Sequence, residues 1–156
     1  MTTTVPPSML TRGPLFSAFA ATGTSIVNGT NGTQIVLATE SFDPSAAFDP
    51  VTGKFTPQVA GYYFVSALLG FADANLTASN VGVAIAKNGT DFTAAVLRTT
   101  IAAATERVRV QCHGLVFLNG STDYVAMVGY QDSGSARTCE AGGGITTFSG
   151  FLVAPA

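Results

Sequence analysis

Charge is what this chain has least of. Only 10% of its 156 residues are Asp, Glu, Lys or Arg, while 47% are hydrophobic. A typical soluble domain carries roughly 25% charged residues, so a single copy has little with which to coat its surface. Part of that surface is expected to lie covered in an assembly. The net charge of −2 and pI near 5.1 exclude a basic footprint for nucleic acid. Tryptophan is absent, histidine occurs once as His113, and cysteine twice as Cys112 and Cys139. Two cysteines make no disulfide framework. Three soft ligands without a C-x-x-C pair make a poor zinc site, so no metal or other cofactor is expected. No apolar run reaches the roughly 18–20 residues of a membrane span. The opening MTTTVPPSMLTRGPL lacks the basic start and apolar stretch of a secretory signal. Synthesis in a reducing cytosol, with free thiols favoured over a Cys112–Cys139 disulfide, is the expectation.

What is present is short and apolar. Residues 1–14 hold Pro6, Pro7 and Pro14 without a hydrophobic period and read as an extended arm. Val5, Pro6, Pro7, Met9 and Leu10 are its docking candidates. From Leu15 onward apolar segments alternate with turn signals, at 15–20, 26–27, 34–37, 61–71, 80–87, 93–101, 107–118, 123–130 and 146–153. The doubled Asn-Gly segment 28–33 reads as a hairpin turn. Residues 100–106 offer one helical turn at most. Many short strands without an amphipathic helix mean a sandwich or barrel. In 62–71 both alternating sets read as apolar: Tyr62, Phe64, Ser66, Leu68 and Gly70 on one face, Tyr63, Val65, Ala67, Leu69 and Phe71 on the other. Segments 115–118 and 148–153 repeat the pattern. A half-solvated antiparallel strand alternates apolar with polar. Two apolar faces point to a sandwich core on one side and either a neighbouring subunit or the chain's own loops on the other.

Candidate chemistry is sparse. A catalytic dyad would have to use His113, but its neighbour Cys112 points to the opposite face of a strand, so the chain does not read as an enzyme. Cys112 falls in register with Val108 and Val110, as a buried thiol does. Sequons occur at Asn28, Asn31, Asn75, Asn88 and Asn119. Four of them are Asn-Gly dipeptides, which turns explain without glycans.

Residues 42–65, FDPSAAFDPVTGKFTPQVAGYYFV, carry the most specific pattern. Phe48-Asp49-Pro50 leads into the turn Thr52-Gly53-Lys54, then Phe55-Thr56-Pro57, then the aromatic strand Ala60-Gly61-Tyr62-Tyr63-Phe64-Val65. Later come VGVAIAKNG at 81–89, a pair of apolar segments at 115–125 that reads as a hairpin around a turn, and TFSGFLV at 147–153. Together these resemble the C1q-like branch of the C1q/tumour-necrosis-factor superfamily, over about residues 15–155. The resemblance implies an all-β, ten-stranded jelly-roll β-sandwich over 15–156, assembled as a homotrimer. It departs from the family where the usual Gly-Asp dipeptide becomes Gly120-Ser121-Thr122-Asp123. No collagen repeat precedes the domain.

Without stalk or signal, the chain is closest in kind to the short C1q-like modules that resemble parts of tailed-phage virions. The expected function is a non-enzymatic virion surface protein, made in the host cytoplasm. As a capsid or tail decoration protein, it would dock on a capsid or tail protein through the arm. A receptor-binding knob recognising a host surface glycan through the loops 73–80 and 132–144 is the alternative, and a cellular C1q-like adhesion or signalling module a third. The resemblance makes Tyr62, Tyr63, Phe64, Phe117, Phe148 and Phe151 candidates for core and trimer seam. Arg107 and Arg109, with Glu106 beside them, would cross the seam or form a solvated patch. Some members of the family bind calcium through loop carboxylates. Here Asp132, Glu140, Asp73 and Asp91 are scattered and read as solvated acids.

Overall fold

The computed structural model describes residues 13–72, 76, 79–89, 91, 92, 99, 100 and 107–156, with the side chains at 30, 31, 91, 92, 99 and 100 outside that description. The candidate arm residues Val5, Pro6, Pro7, Met9 and Leu10, most of the 73–80 and 93–101 segments, and the candidate helical turn therefore lie outside it. The described residues are all β. They run β1 (Leu15–Phe19), β2 (Ser25–Ile26), β3 (Gly29–Gln34), β4 (Thr39–Phe42), β5 (Phe48–Asp49), β6 (Lys54–Phe55) and β7 (Ala60–Gly70). Then follow β8 (Asn80–Lys87), β9 (Asp91–Phe92), β10 (Thr99–Thr100), β11 (Arg109–Asn119), β12 (Val125–Gln131), β13 (Arg137–Thr138) and β14 (Thr147–Pro155). Six of the fourteen are two-residue pieces, which is why this jelly roll shows more strands than ten.

Two sheets face each other. One has the order β11-β7-β14-β1-β4; the other has β10-β8-β12-β6-β5, with β3 also pairing β12 and β9 pairing β8. All pairings are antiparallel. A small ribbon of β13 and β2 closes one corner. The 42–65 motif builds the centre of the core. Its β5–β6 hairpin sets Phe48 opposite Phe55, and both rings stack on Phe16, at 5.1 and 4.3 Å between centroids. Phe148 meets Phe16 edge-on at 5.0 Å, and Tyr63 meets Phe55 at 5.6 Å. Aromatic pairs in these offset and edge geometries add to the area they bury. The Tyr63 hydroxyl donates to the Val59 carbonyl at 2.7 Å, and burial pushes its phenol up to about 12. Gly61 is needed at the start of β7, since a Cβ there would lie 2.5 Å from the Ala154 carbonyl oxygen of β14.

Two expectations fail for one reason. The doubled Asn-Gly segment is not a hairpin turn but the strand β3 itself, paired with β12. Between Thr33 and Gly29 the pairing slips relative to Gly129 and Gln131, and Gly32 takes a φ of 69°, so the glycine makes an irregularity within an edge pairing. Nor are the two strands around residue 120 a hairpin. β11 pairs β7 and β12 pairs β8, so the turn between them carries the chain from one sheet to the other. Turn chemistry sets local dihedrals, while sheet membership is decided by partners distant in sequence.

Candidate assembly face

The outer face of the five-stranded sheet collects alternate residues of its strands, and the register sorts them into rows. Gln111, Leu68, Thr147 and Phe19 form one row, and His113, Ser66, Ser149 and Ser17 the next. Then comes Leu115, Phe64, Phe151 and Leu15, and beyond it Phe117 beside Tyr62. The polar row thus lies between a mixed row and two apolar ones. Tyr62, Leu115 and Phe151 are 52%, 60% and 51% exposed, and Phe42 on the edge strand β4 is 50% exposed. Their rings are already organised: Tyr62 against Phe117 at 5.5 Å, Phe64 against Phe151 at 5.6 Å, and Phe64 against His113 at 5.7 Å. A contiguous apolar patch of this kind marks an interaction surface in a soluble domain.

The register divides the aromatic candidates. Tyr63 and Phe148 turn inward and are fully buried, whereas Tyr62, Phe64, Phe117 and Phe151 share the outer face. Leu115 and Phe42 belong to the patch although the sequence reading did not single them out. Leu115 was legible as the residue two before Phe117 on the same strand face. Phe42 was not, because only the pairing of β4 with β1 brings it there.

Polar structure fixes the rim near Phe117. The Asn119 side-chain oxygen accepts from the backbone N–H groups of Ser121, Thr122 and Asp123 at 2.9–3.0 Å. Lys87 sits 2.8 Å from the Asp123 carboxylate, donates to the Phe117 carbonyl at 2.8 Å, and lies 5.7 Å from the centroid of the Phe117 ring. Lys87 first, then the Asn88 amide, holds the Asp123 carboxyl below the usual carboxylate value.

The other candidates are placed as follows. Arg107 is 75% exposed and pairs within the chain with Glu140, whose side chain is 13% exposed. Arg109 lies on β11 at the other end from Phe117, exposed beside Gly70 of β7. Two of the four loop acids, Glu140 and Asp132, have partners within the chain. Asp132 accepts from the Asn80 backbone N–H at 2.6 Å and its side-chain amide at 2.7 Å, holding the start of β8. Asp73 and the Asp91 side chain lie outside the described residues. Among those described, no three His, Cys, Asp or Glu side chains gather as a metal would require. Cys112 and Cys139 are free and buried. Burial pushes the Cys112 thiol up to about 11, and the Cys139 sulfur accepts the Thr24 N–H at 3.0 Å. His113 and Cys112 occupy opposite faces of β11, exposed and buried respectively. No helix among the described residues is long and apolar enough to cross a membrane.

The sequence pattern of the C1q domain matches residues 18–153. The chain belongs to the C1q domain family. Solved structures of other proteins share the fold. The globular domain of zebrafish complement 1qA protein aligns over 92% of this C1q domain and 99% of its own length, at a TM-score of 0.60 and 15% identity. Murine APRIL at pH 5.0 aligns over 91% and 100%, at 0.66 and 10% identity. The Eiger TNF of S. frugiperda aligns over 93% and 94%, at 0.60 and 11% identity. No curated protein matches the sequence.

Proposed function

We propose that this C1q domain is a non-enzymatic, homotrimeric structural module of a tailed-phage virion surface. Its subunits meet through the outer face of the five-stranded sheet, and it docks on a capsid or tail protein through residues 1–14. The observation that carries the trimer is the aromatic face of Tyr62, Phe64, Leu115, Phe117 and Phe151, half open in a single copy. Low charge supports the same reading, since buried seams spare the chain a charged coat. Homotrimers are also typical of the fold. The virion assignment rests on the resemblance of the sequence to short C1q-like modules of tailed-phage virions.

Light scattering of the purified protein tests the assembly, and a monomer at micromolar concentration would refute it. Electron cryomicroscopy of the source particle tests the site. Trimers seated on capsid or tail, lost when residues 1–12 are deleted, are expected. That deletion spares Pro14, whose carbonyl accepts the Leu152 N–H at 3.0 Å and closes the β1–β14 ladder. Normal incorporation of the truncated protein would remove the arm from the proposal. One observation favours a receptor-binding knob as the second reading: the 132–137 loop is built rather than loose. The fully buried Gln131 donates to the Ile26 and Ser135 carbonyls and accepts from Ser133. Trimers at a distal tail tip, with a glycan bound at this loop, would favour that reading.

A further inference from the structure

We propose that Asn28 is a site of spontaneous deamidation, activated by the backbone N–H of Gly134. Four Asn-Gly dipeptides occur, at Asn28, Asn31, Asn88 and Asn119, and the structure treats the three whose side chains are described differently. The reaction begins when the glycine amide nitrogen, its proton lost to hydroxide, attacks the asparagine Cγ. An N–Cγ bond forms and negative charge develops on Oδ1. Collapse breaks the Cγ–Nδ2 bond, and the nitrogen leaves as ammonia after taking a proton from water. The resulting succinimide adds water at either carbonyl, giving aspartate or isoaspartate. Three local conditions favour it: a donor on Oδ1 where charge develops, an Nδ2 free to leave, and open space around the glycine.

Asn28 meets all three. Its Oδ1 accepts the Gly134 N–H at 2.6 Å. Its Nδ2 has no partner among the described residues, and the residue is exposed. Gly29 has nothing within 4 Å of where a Cβ would stand, and it opens β3 where the pairing with β12 has slipped. The other two amides are clamped at the leaving nitrogen. Asn88 donates Nδ2 to the Asp123 carboxylate at 2.9 Å while Oδ1 accepts the Tyr124 N–H at 3.0 Å, and its own φ is +53°. Asn119 donates Nδ2 to the Thr122 hydroxyl at 2.9 Å, and three backbone donors hold Oδ1. In both, swinging the amide onto the following nitrogen breaks bonds on each side of it.

The products differ in consequence. Aspartate at 28 keeps the Gly134 bond as a charge-assisted one. Isoaspartate puts an extra methylene into the backbone at the β2–β3 corner and moves the side chain away from the 132–137 loop.

The test is peptide mapping, with isoaspartate detection, of the folded protein held at mildly alkaline pH. A parallel sample is held in denaturant. Asn28 is expected to convert several-fold faster than Asn88 and Asn119 in the folded protein, and at a rate comparable with theirs in the unfolded chain. Faster conversion at Asn88 or Asn119 in the folded state overturns the proposal. So does an intact Asn28 over the time in which the unfolded chain converts. Gly29→Ala should slow conversion at Asn28 alone; an unchanged rate there would contradict the proposed nucleophile.

Discussion

Replacing Phe151 by alanine separates the core of this domain from its proposed assembly face. Phe151 is 51% exposed in the single copy. A Phe ring carries on the order of 200 Å² of surface, so roughly 100 Å² stands open to be covered by a neighbour. At about 25 cal/mol/Å² that surface is worth about 2.5 kcal/mol per subunit. Three copies give about 7.5 kcal/mol per trimer, and at about 1.4 kcal/mol per tenfold the association constant should fall by about five orders of magnitude. Sedimentation velocity over a wide concentration range reads this directly as a shift from trimer to monomer. Fold stability should fall less than for a fully buried ring, because the half of Phe151 covered within the subunit is worth at most about 2.5 kcal/mol on the same arithmetic. Phe148→Ala, three residues earlier but pointing inward, is the control. It should cost about 3–5 kcal/mol of fold stability, as buried aromatic truncations do. If Phe151→Ala dissociates at the wild-type concentration, the outer face is not the seam. If it costs as much fold stability as Phe148→Ala, the division of β14 into two faces is wrong.

Three further outcomes are expected. Cys112 and Cys139, free and buried, should react with an aromatic disulfide reagent only on unfolding; prompt labelling of either in the native protein contradicts their burial. The Asp123 carboxyl is held low by Lys87, so the stability it lends is present above the ordinary carboxylate value of about 3.9 and is lost as pH falls through the lowered folded value. Lys87→Met should flatten the acid limb of a denaturation series run against pH, and parallel curves for the two proteins would refute the coupling. Gly120→Ala should cost at least about 2 kcal/mol, since φ is +73° and the new Cβ would lie 2.3 Å from the Ala60 nitrogen. Gly134→Ala, with φ +88° but open space around it, isolates the strain alone. Equal losses in calorimetry would remove the close approach from the explanation.

Much of the fold was legible where the chemistry is local. The sequence marked a turn at Thr52-Gly53-Lys54 with aromatics on either side, and in the fold Phe48, Phe55 and Tyr63 are the centre of the core. Strand β8 was legible to the residue, because an apolar run ends at Lys87-Asn88-Gly89. The sheet assignment of β3 and of the strands around Gly120 was not, since Asn-Gly chemistry specifies a bend and says nothing of the partner beyond it. For the candidate face, a period of two in β7 sorted its residues into two sets without saying which turns inward. A signal was present nonetheless. The set with Tyr62 includes Ser66 and Gly70, whereas the set with Tyr63 is Tyr63, Val65, Ala67 and Leu69 throughout. An unbroken apolar set is the one a core selects, because a buried hydroxyl without a partner costs about 1–3 kcal/mol.

The two outer faces of the sandwich are not equivalent, and the difference argues for one seam. On the seven-stranded sheet the central outward positions are Gly82, Ala84 and Ala86 of β8 against Tyr130, Val128 and Ala126 of β12. The alanines there are nearly inaccessible, so they offer little area to gain. The five-stranded sheet carries the exposed aromatics, the residue type that anchors protein interfaces. Across it, Ser17, Ser149, Ser66 and His113 make a polar row directly below the aromatic one. In the proposed trimer the aromatic rows supply the association energy. The polar row restricts how the copies meet, because a packing that buries those hydroxyls unpaired loses about 1–3 kcal/mol for each. Replacing Ser66 and Ser149 together by alanine should therefore leave association intact or stronger while loosening its geometry. Sedimentation that shows species larger than a trimer would reveal the loosening, and a strictly trimeric variant would show that the aromatic rows set the geometry alone.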